Sequence, residues 1–235
     1  MLTLITSAQI RDADKHIIST KPISSIDLME AAARAFVSAF KEEFKNLDEA
    51  ISVYCGTGNN GGDGLAIARL LKEEGYDRIS VIIARYSGKA TSDFQINFQR
   101  LEYTGIPIKE ISKEPSTFPS ESGSILIDAL LGSGLNKPLE GEVKTLVEYL
   151  NALQKTVVAV DVPTGFFSEG KINSDATVIN ANLVITFQRP KINFFFPESA
   201  KALDAFKVVE IGLDEDFIQS QLSSWKLIEE KDITQ

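Results

Sequence analysis

Cysteine is almost absent from this sequence. Cys55 is the only one in 235 residues, so no intramolecular disulfide can form. A reducing compartment fits that usage. Histidine is as scarce, with His16 alone. One Cys and one His cannot build a structural zinc site of the usual Cys/His type. No Ser-His-Asp arrangement is suggested either. Basic charge is in deficit: 24 Lys and Arg face 33 Asp and Glu, a net charge of −9. Such a chain is a poor general binder of nucleic acid or of anionic membranes. No apolar run reaches the roughly 20 residues needed to span a bilayer. The opening MLTLITSAQIRDADKH has no basic n-region and no apolar h-region, so no signal peptide is read and a cytoplasmic protein is expected.

What remains is ordinary globular composition, with 43% hydrophobic and 24% charged residues. The length suffices for one well-buried core. Residues 6–20 and 25–45 have helical spacing. In the second, Leu28, Met29, Ala32, Ala35, Phe36, Ala39 and Phe40 form one stripe, and Asp27 and Glu30 suit a helix start. Beyond them, short apolar runs alternate with amphipathic segments. Strands are expected at 50–56, 79–84, within 124–132, at 156–163, 181–187 and 206–212. Helices are expected at 65–76, 91–104 and 141–153, with a short one at 214–222. Strands apolar on both faces, alternating with helices, indicate a mostly parallel sheet covered on two sides. The expected fold is α/β: a Rossmann-like, doubly wound three-layer α/β/α sandwich with an N-terminal helical extension. Residues 1–222 form its single domain. The Pro- and Ser-rich 113–123 is a surface loop, and 223–235 is a tail or linker.

The most informative stretch is CGTGNNGGDGLAIARLL (55–71), which follows a strand and opens a helix. Gly56, Gly58 and Gly61 satisfy G-x-G-x-x-G, a weak signal without its context. A dinucleotide dehydrogenase would carry an acid at the end of its second strand. Here that strand ends at Ala84-Arg85, and Asp77 lies at the wrong end. Arg85 would suit a 2′-phosphate or be plain surface charge. Gly61, Gly62 and Gly64 allow backbone amides to approach an anion at the positive end of the helix. Asn59, Asn60 and Asp63 add polar groups. The same glycines also suit a plain tight turn, with Asp63 as its cap.

Ligands of open α/β sheets bind beyond the carboxyl ends of the strands. Two further strand ends carry polar groups here: Asp128, followed by GSGLNKPLEG (132–141), and Asp161, followed by Val162, Pro163, Thr164 and Gly165. Asn60, Asp128 and Thr164 would offer only oxygen ligands, which suits a hard cation. Cys55, in an apolar strand, is expected as a core thiol, and His16 as an ordinary helical residue.

These motifs together resemble the NAD(P)HX epimerases, the YjeF N-terminal domain family. The resemblance rests on ITSAQIRDADKHII with SIDLMEAAARA, GTGNNGGDGLAIARLL, IDALLGSGLNKPLEG, VAVDVPTG, LVITFQRPK and FKVVEIGL. It implies an isomerase that interconverts the R and S forms of NADHX and NADPHX, the hydrated nicotinamide cofactors. A partner ADP- or ATP-dependent dehydratase then restores the cofactor. By motif, Asn59, Asn60, Gly61, Gly62 and Asp63 would line the site. Gly132, Ser133, Gly134, Leu135, Asn136, Lys137, Pro138 and Asp161 would contact the same ligand. Asn60, Asp128 and Thr164 would bind a potassium ion. Asp161 is the first expected acid/base and Lys137 the second group. The family commonly forms homodimers, and many members are fused to the dehydratase. A ligand-binding module without chemistry is the rival reading. Thr57, Thr164 and Gln188 stand where the family more often has Pro, Ser and Gly.

Overall fold

The computed structural model describes residues 1–112, 118, 120–172 and 175–233. Nine strands and seven α-helices appear among them. In chain order they are β1 Leu2–Leu4, α1 Ser7–Thr20, α2 Ser25–Glu43, β2 Ile51–Cys55, α3 Asn59–Glu73, β3 Ile79–Ala84, α4 Ser92–Glu102 and β4 Ile108–Ile111. There follow β5 Ile125–Ala129, α5 Gly141–Ala152, β6 Thr156–Val160, β7 Ala181–Phe187, β8 Leu203–Val209, α6 Glu215–Ser220, β9 Trp225–Leu227 and α7 Glu230–Ile233. The main sheet runs β4-β3-β2-β5-β6-β7-β8, every neighbouring pair parallel.

Parallel strands need crossovers, and the helices that make them cover both faces. One face packs Val53, Cys55, Val81 and Ile127 against α2, α3 and α4. The other packs Tyr54, Ile82, Leu126 and Ala159 against α5 and a 3₁₀ turn at Ile192–Phe195. This is the expected three-layer α/β fold.

Both N-terminal helices begin on capping boxes. Thr6 with Gln9 opens α1, and Ser24 with Asp27 opens α2. Ser24 caps α2, so the helix begins at Ser25, where the sequence reading placed its start. Helix α3 starts at Asn59, six residues before the expected Leu65. Its glycines lower helix propensity, but packing overrides that penalty. A Cβ on Gly61 would sit 1.8 Å from the Gly56 carbonyl oxygen, and one on Gly64 would lie 2.5 Å from Ala129 Cβ. Strand β8 begins at Leu203 rather than Phe206, because its edge position leaves it half-exposed and its pattern weak.

Strands β1, β4 and β9 were not expected. β4 reads IKEI, polar because it is an edge. β1 and β9 pair antiparallel, Leu2 opposite Leu227 and Leu4 opposite Trp225. The 223–235 segment therefore contributes a strand to the N-terminal part, where a tail or linker was expected. Most of the expected 113–123 loop lies outside the described residues. At its described end, Glu121 accepts hydrogen bonds from Ser52 Oγ (2.6 Å) and from the Tyr54 hydroxyl.

The α3–sheet contact yields the first test. Gly64→Ala should destabilise the chain by about 1–3 kcal/mol despite the better helix former. Urea unfolding should show a lower midpoint with an unchanged m-value. Adding Ala129→Gly, which removes the methyl it strikes, should recover part of the loss.

Candidate active site

Strand order fixes where the site forms. β2 lies between β3 and β5, so the chain leaves it in one direction and later returns on its other side. A crevice opens at such a switch point. The carboxyl ends of β2, β5, β6 and β7 stand side by side there. A cleft of about 520 Å³ lies over them. It is lined by Gly58, Asn59, Asn60 and Asp63 after β2, and by Leu130 to Leu135 after β5. Asp161 after β6 and Gln188 and Lys191 after β7 complete that edge. Helix α1 closes it from above with Ile10, Arg11 and Asp14.

The α3 end of the cleft is a helix N-terminus. Gly58 caps the helix without a side-chain bond. The first bond of the helix runs from the Gly62 amide to the Gly58 carbonyl, at 3.0 Å. The amides of Asn59, Asn60 and Gly61 precede it, at the positive end of the dipole.

The opposite end holds acids. Asp161 has a left-handed backbone, φ +66°, uncommon for a side-chain-bearing residue. Its amide donates to the Ile185 carbonyl at 2.9 Å. Its Oδ1 accepts from Thr186 Oγ1 at 3.0 Å and the Phe187 amide at 3.2 Å. Lys191 Nζ pairs with the same oxygen at 2.7 Å, both side chains withdrawn from solvent. The strained turn is thus held by three groups from the β7 end. Asp14 faces this pair. Burial, with the Asp161 charge adding to it, lifts its carboxyl from 3.8 to about 6, against the opposing pull of Lys191 and Arg11. Asp63 is raised well above the usual carboxylate range by burial, with Asp161, Asp14 and Asp93 adding to it.

Beneath the cleft, Asp128 is buried. Its Oδ2 accepts from the Thr164 amide at 2.7 Å, and its Oδ1 from Thr164 Oγ1 at 2.7 Å and the Leu130 amide at 3.2 Å. Burial raises its carboxyl to about 6 against those bonds. Asn60 Nδ2 is buried with no hydrogen-bond partner among the described residues, while its side chain lies close against Gly132.

Asn59, Asn60, Asp63, Gly132, Ser133, Gly134, Leu135 and Asp161 line one cleft. Gly61 and Gly62 lie buried in the first turn of α3 just behind it. Asn136, Lys137 and Pro138 do not line it. They are exposed on the loop that runs outward to α5, ahead of the buried anchor Leu139. Lys137 sits on that exposed loop, and the cation paired with Asp161 is Lys191, at 2.7 Å, which the sequence reading did not single out although it quoted LVITFQRPK. The available signal was position, since that motif follows β7 as VAVDVPTG follows β6. Asp14, from the N-terminal helix, was missed as well. Cys55 is a buried thiol whose burial pushes its ionisation far upward, which agrees with a core role. His16 stacks on Phe217 and faces Asp214. Arg85 pairs with Glu110 at 2.7 Å.

Comparison with known proteins adds the following. The family described as YjeF-related protein N-terminus matches residues 25–193. An NAD(P)H-hydrate epimerase of Limosilactobacillus fermentum is 35% identical over 192 residues, covering 80% of this chain and 86% of that protein. A bifunctional NAD(P)H-hydrate repair enzyme of Dictyoglomus turgidum is 28% identical, covering 97% of this chain and 45% of that protein. The chain thus spans about half the length of the bifunctional relatives and most of the length of the shorter ones. A yeast crystal structure superposes with a TM-score of 0.75 at 24% identity, covering 98% of both chains, and shows the same fold.

Asp14 gives a pH test. The folded chain holds its proton up to about pH 6, whereas the unfolded chain releases it near 3.8. That contribution is complete below the unfolded value and is lost as pH rises through 6. Asp14→Asn, which needs no proton, should therefore be the more stable protein at pH 8, by up to about 3 kcal/mol. Below pH 4 the two should match. Urea unfolding at both pH values measures this, and a pH-independent difference would contradict it.

Proposed function

The chain belongs to the YjeF-related protein N-terminus family, and from that premise we propose that it epimerises hydrated nicotinamide dinucleotides, NADHX and NADPHX. The observation that carries the reading is one cleft with an anion-binding helix end at Asn59–Gly61 and an acid cluster around Asp161 and Lys191. A dinucleotide has both halves of that character: a pyrophosphate, and a nicotinamide ring that becomes cationic in the reaction. Relatives of this length carry the name NAD(P)H-hydrate epimerase.

The chemistry inverts the ring carbon that bears the added hydroxyl. The C–O bond breaks, its electron pair leaves with oxygen, and a donated proton makes that oxygen water. The ring nitrogen's lone pair forms a planar iminium. Water then adds to the other face and gives a proton back, so atoms and charge balance. Asp161 is the proposed acid/base, and Lys191 orients its carboxylate and supports proton transfer. Such assistance is worth roughly 10²–10⁴-fold. The carboxylates of the cluster also favour the cationic ring electrostatically. The pyrophosphate takes the α3 amides. Helix α1 covers one side of the cleft with Ile10, Arg11 and Asp14.

A potassium ion at Asn60, Asp128 and Thr164 is part of this proposal. The residues fit. Asn60 has a buried amide without a partner among the described residues, and turning it end for end presents Oδ1 instead. Asp128 and Thr164 bring a carboxylate and a hydroxyl into contact, both buried. The donors are all oxygen, as an alkali cation prefers. The ion would supply positive charge that ties the β2, β5 and β6 loops together.

Catalysis is tested with mixed R and S NADHX, a stereospecific dehydratase and ATP. The dehydratase removes the S form quickly, and the R form then drains only as it epimerises. This chain should accelerate that slow phase. Asp161→Asn and Lys191→Met should each lower its rate about 100-fold or more, with Lys137→Ala close to wild type. Exchange of potassium for lithium should slow it as well. Binding of NADHX without acceleration would leave a ligand-binding module and overturn the proposal.

A further inference from the structure

A second cavity adjoins the cleft on the far side of the glycine turn. It measures about 440 Å³, within the range of small-molecule sites. The two share Gly58, Thr91, Leu130 and Leu131 as a common wall. Its floor is Ala84, the last residue of β3, with Leu130 and Val143. Tyr86 forms another wall, and among the described residues its buried hydroxyl has no hydrogen-bond partner. A buried, unpaired hydroxyl costs free energy in the empty protein and becomes favourable when a ligand supplies the partner.

We propose that this cavity is the subsite for the adenosine half of the substrate, so that the dinucleotide crosses the Gly58 turn from Tyr86 to Asp161. The inference rests on the function proposed above. In doubly wound sheets the ribose of the adenosine half lies beyond the strand next to the glycine turn, which here is β3. The acid expected at that strand's end is missing from the sequence. Glu142, from α5, lines the cavity instead and supplies a carboxylate from another element. Lys89 is exposed in the same lining and provides a cation beside a ribose phosphate. Arg85 is committed elsewhere, paired with Glu110 and stacked over Phe98.

Thr57 holds this wall in place. Its hydroxyl donates to the Lys89 carbonyl at 2.8 Å, and its carbonyl accepts from the Thr91 amide at 3.1 Å. The 86–91 segment is thereby fastened to the turn that binds the pyrophosphate, so the two subsites keep a fixed spacing. A proline at position 57 has no hydroxyl to make the first of these bonds.

The probe is 5′-AMP, titrated into the full chain by calorimetry and as a competitor of NADHX turnover. AMP should bind and compete. Val143→Trp, which fills the cavity, should weaken AMP by roughly tenfold or more. Tyr86→Phe, which removes one oxygen and leaves the fold intact, should weaken it by roughly three- to tenfold. Absence of AMP binding, or equal binding by wild type and both variants, overturns the subsite even if epimerisation proceeds. AMP binding that both variants weaken, in a chain that does not epimerise, supports the subsite and removes the reaction proposed for the neighbouring cleft.

Discussion

The close approach of α3 to the middle of the sheet is the constraint on which the rest depends. There is no room for a side chain at Gly61 against the Gly56 carbonyl, at Gly56 against the Leu130 carbonyl, or at Gly64 against Ala129 and Cys55. These contacts are backbone against backbone or against strand side chains, so they cannot relax by a rotamer change. They bring the first turn of α3 down onto β2 and β5 and leave its amides at the sheet's carboxyl edge. Positive φ is not needed at Gly56, Gly61 or Gly64; the glycines are there for proximity. The same approach creates the ridge at Gly58 that divides the two cavities.

A second constraint lies across the crevice. Asp161 holds a left-handed backbone that costs of order 1–3 kcal/mol. The turn is kept by bonds from Thr186, Phe187 and Lys191, all at the end of β7. Gln188 is also left-handed, φ +59°, a conformation that glycine adopts without a Cβ penalty. Here the glutamine is retained by its own bonds. Its amide donates to the Val209 carbonyl, and its Oε1 accepts from the Ile211 amide. Two strained residues on adjoining strands support one ion pair, and that pair fixes the carboxylate position in the cleft.

Much of this was legible in the sequence. Buried parallel strands announce themselves as continuous apolar runs, and the expected strands and helices around AISVYCG, ISVIIA and TVVAVDVP match the sheet. The site's floor was legible too, since Asn60, Asp63 and Asp161 follow apolar strands and Asp128 lies near the end of one. What escaped were groups whose role comes only from the third dimension. Lys191 is just another lysine until β7 is placed beside β6. Asp14 sits in an amphipathic helix on its polar side, and only the docking of α1 turns that side toward the cleft. Glu142 lies more than fifty residues from the strand end where a ribose acid was sought. Lys137 was read from its motif alone, and the structure places it on the exposed loop ahead of α5. The short β1 and β9 escaped because three residues of partly exposed strand carry no periodicity to read.

The distribution of charge makes the two ends of the crevice unequal, and that inequality suits the reaction. The chain as a whole is acidic, yet the α3 turn presents backbone amides where a pyrophosphate would lie. Carboxyl groups are gathered instead at Asp14, Asp63 and Asp161, beside Lys191 and Arg11. Burial of three carboxylates in one place works against ionising all of them, which is why two are held above their usual range. A group that becomes cationic relieves this strain by supplying the missing positive charge. A neutral ground-state ring does so less. In the proposed reaction the acid cluster is therefore stabilised more by an iminium than by the hydrate that precedes it. That difference between the two states, rather than tight binding of either, is what lowers a barrier.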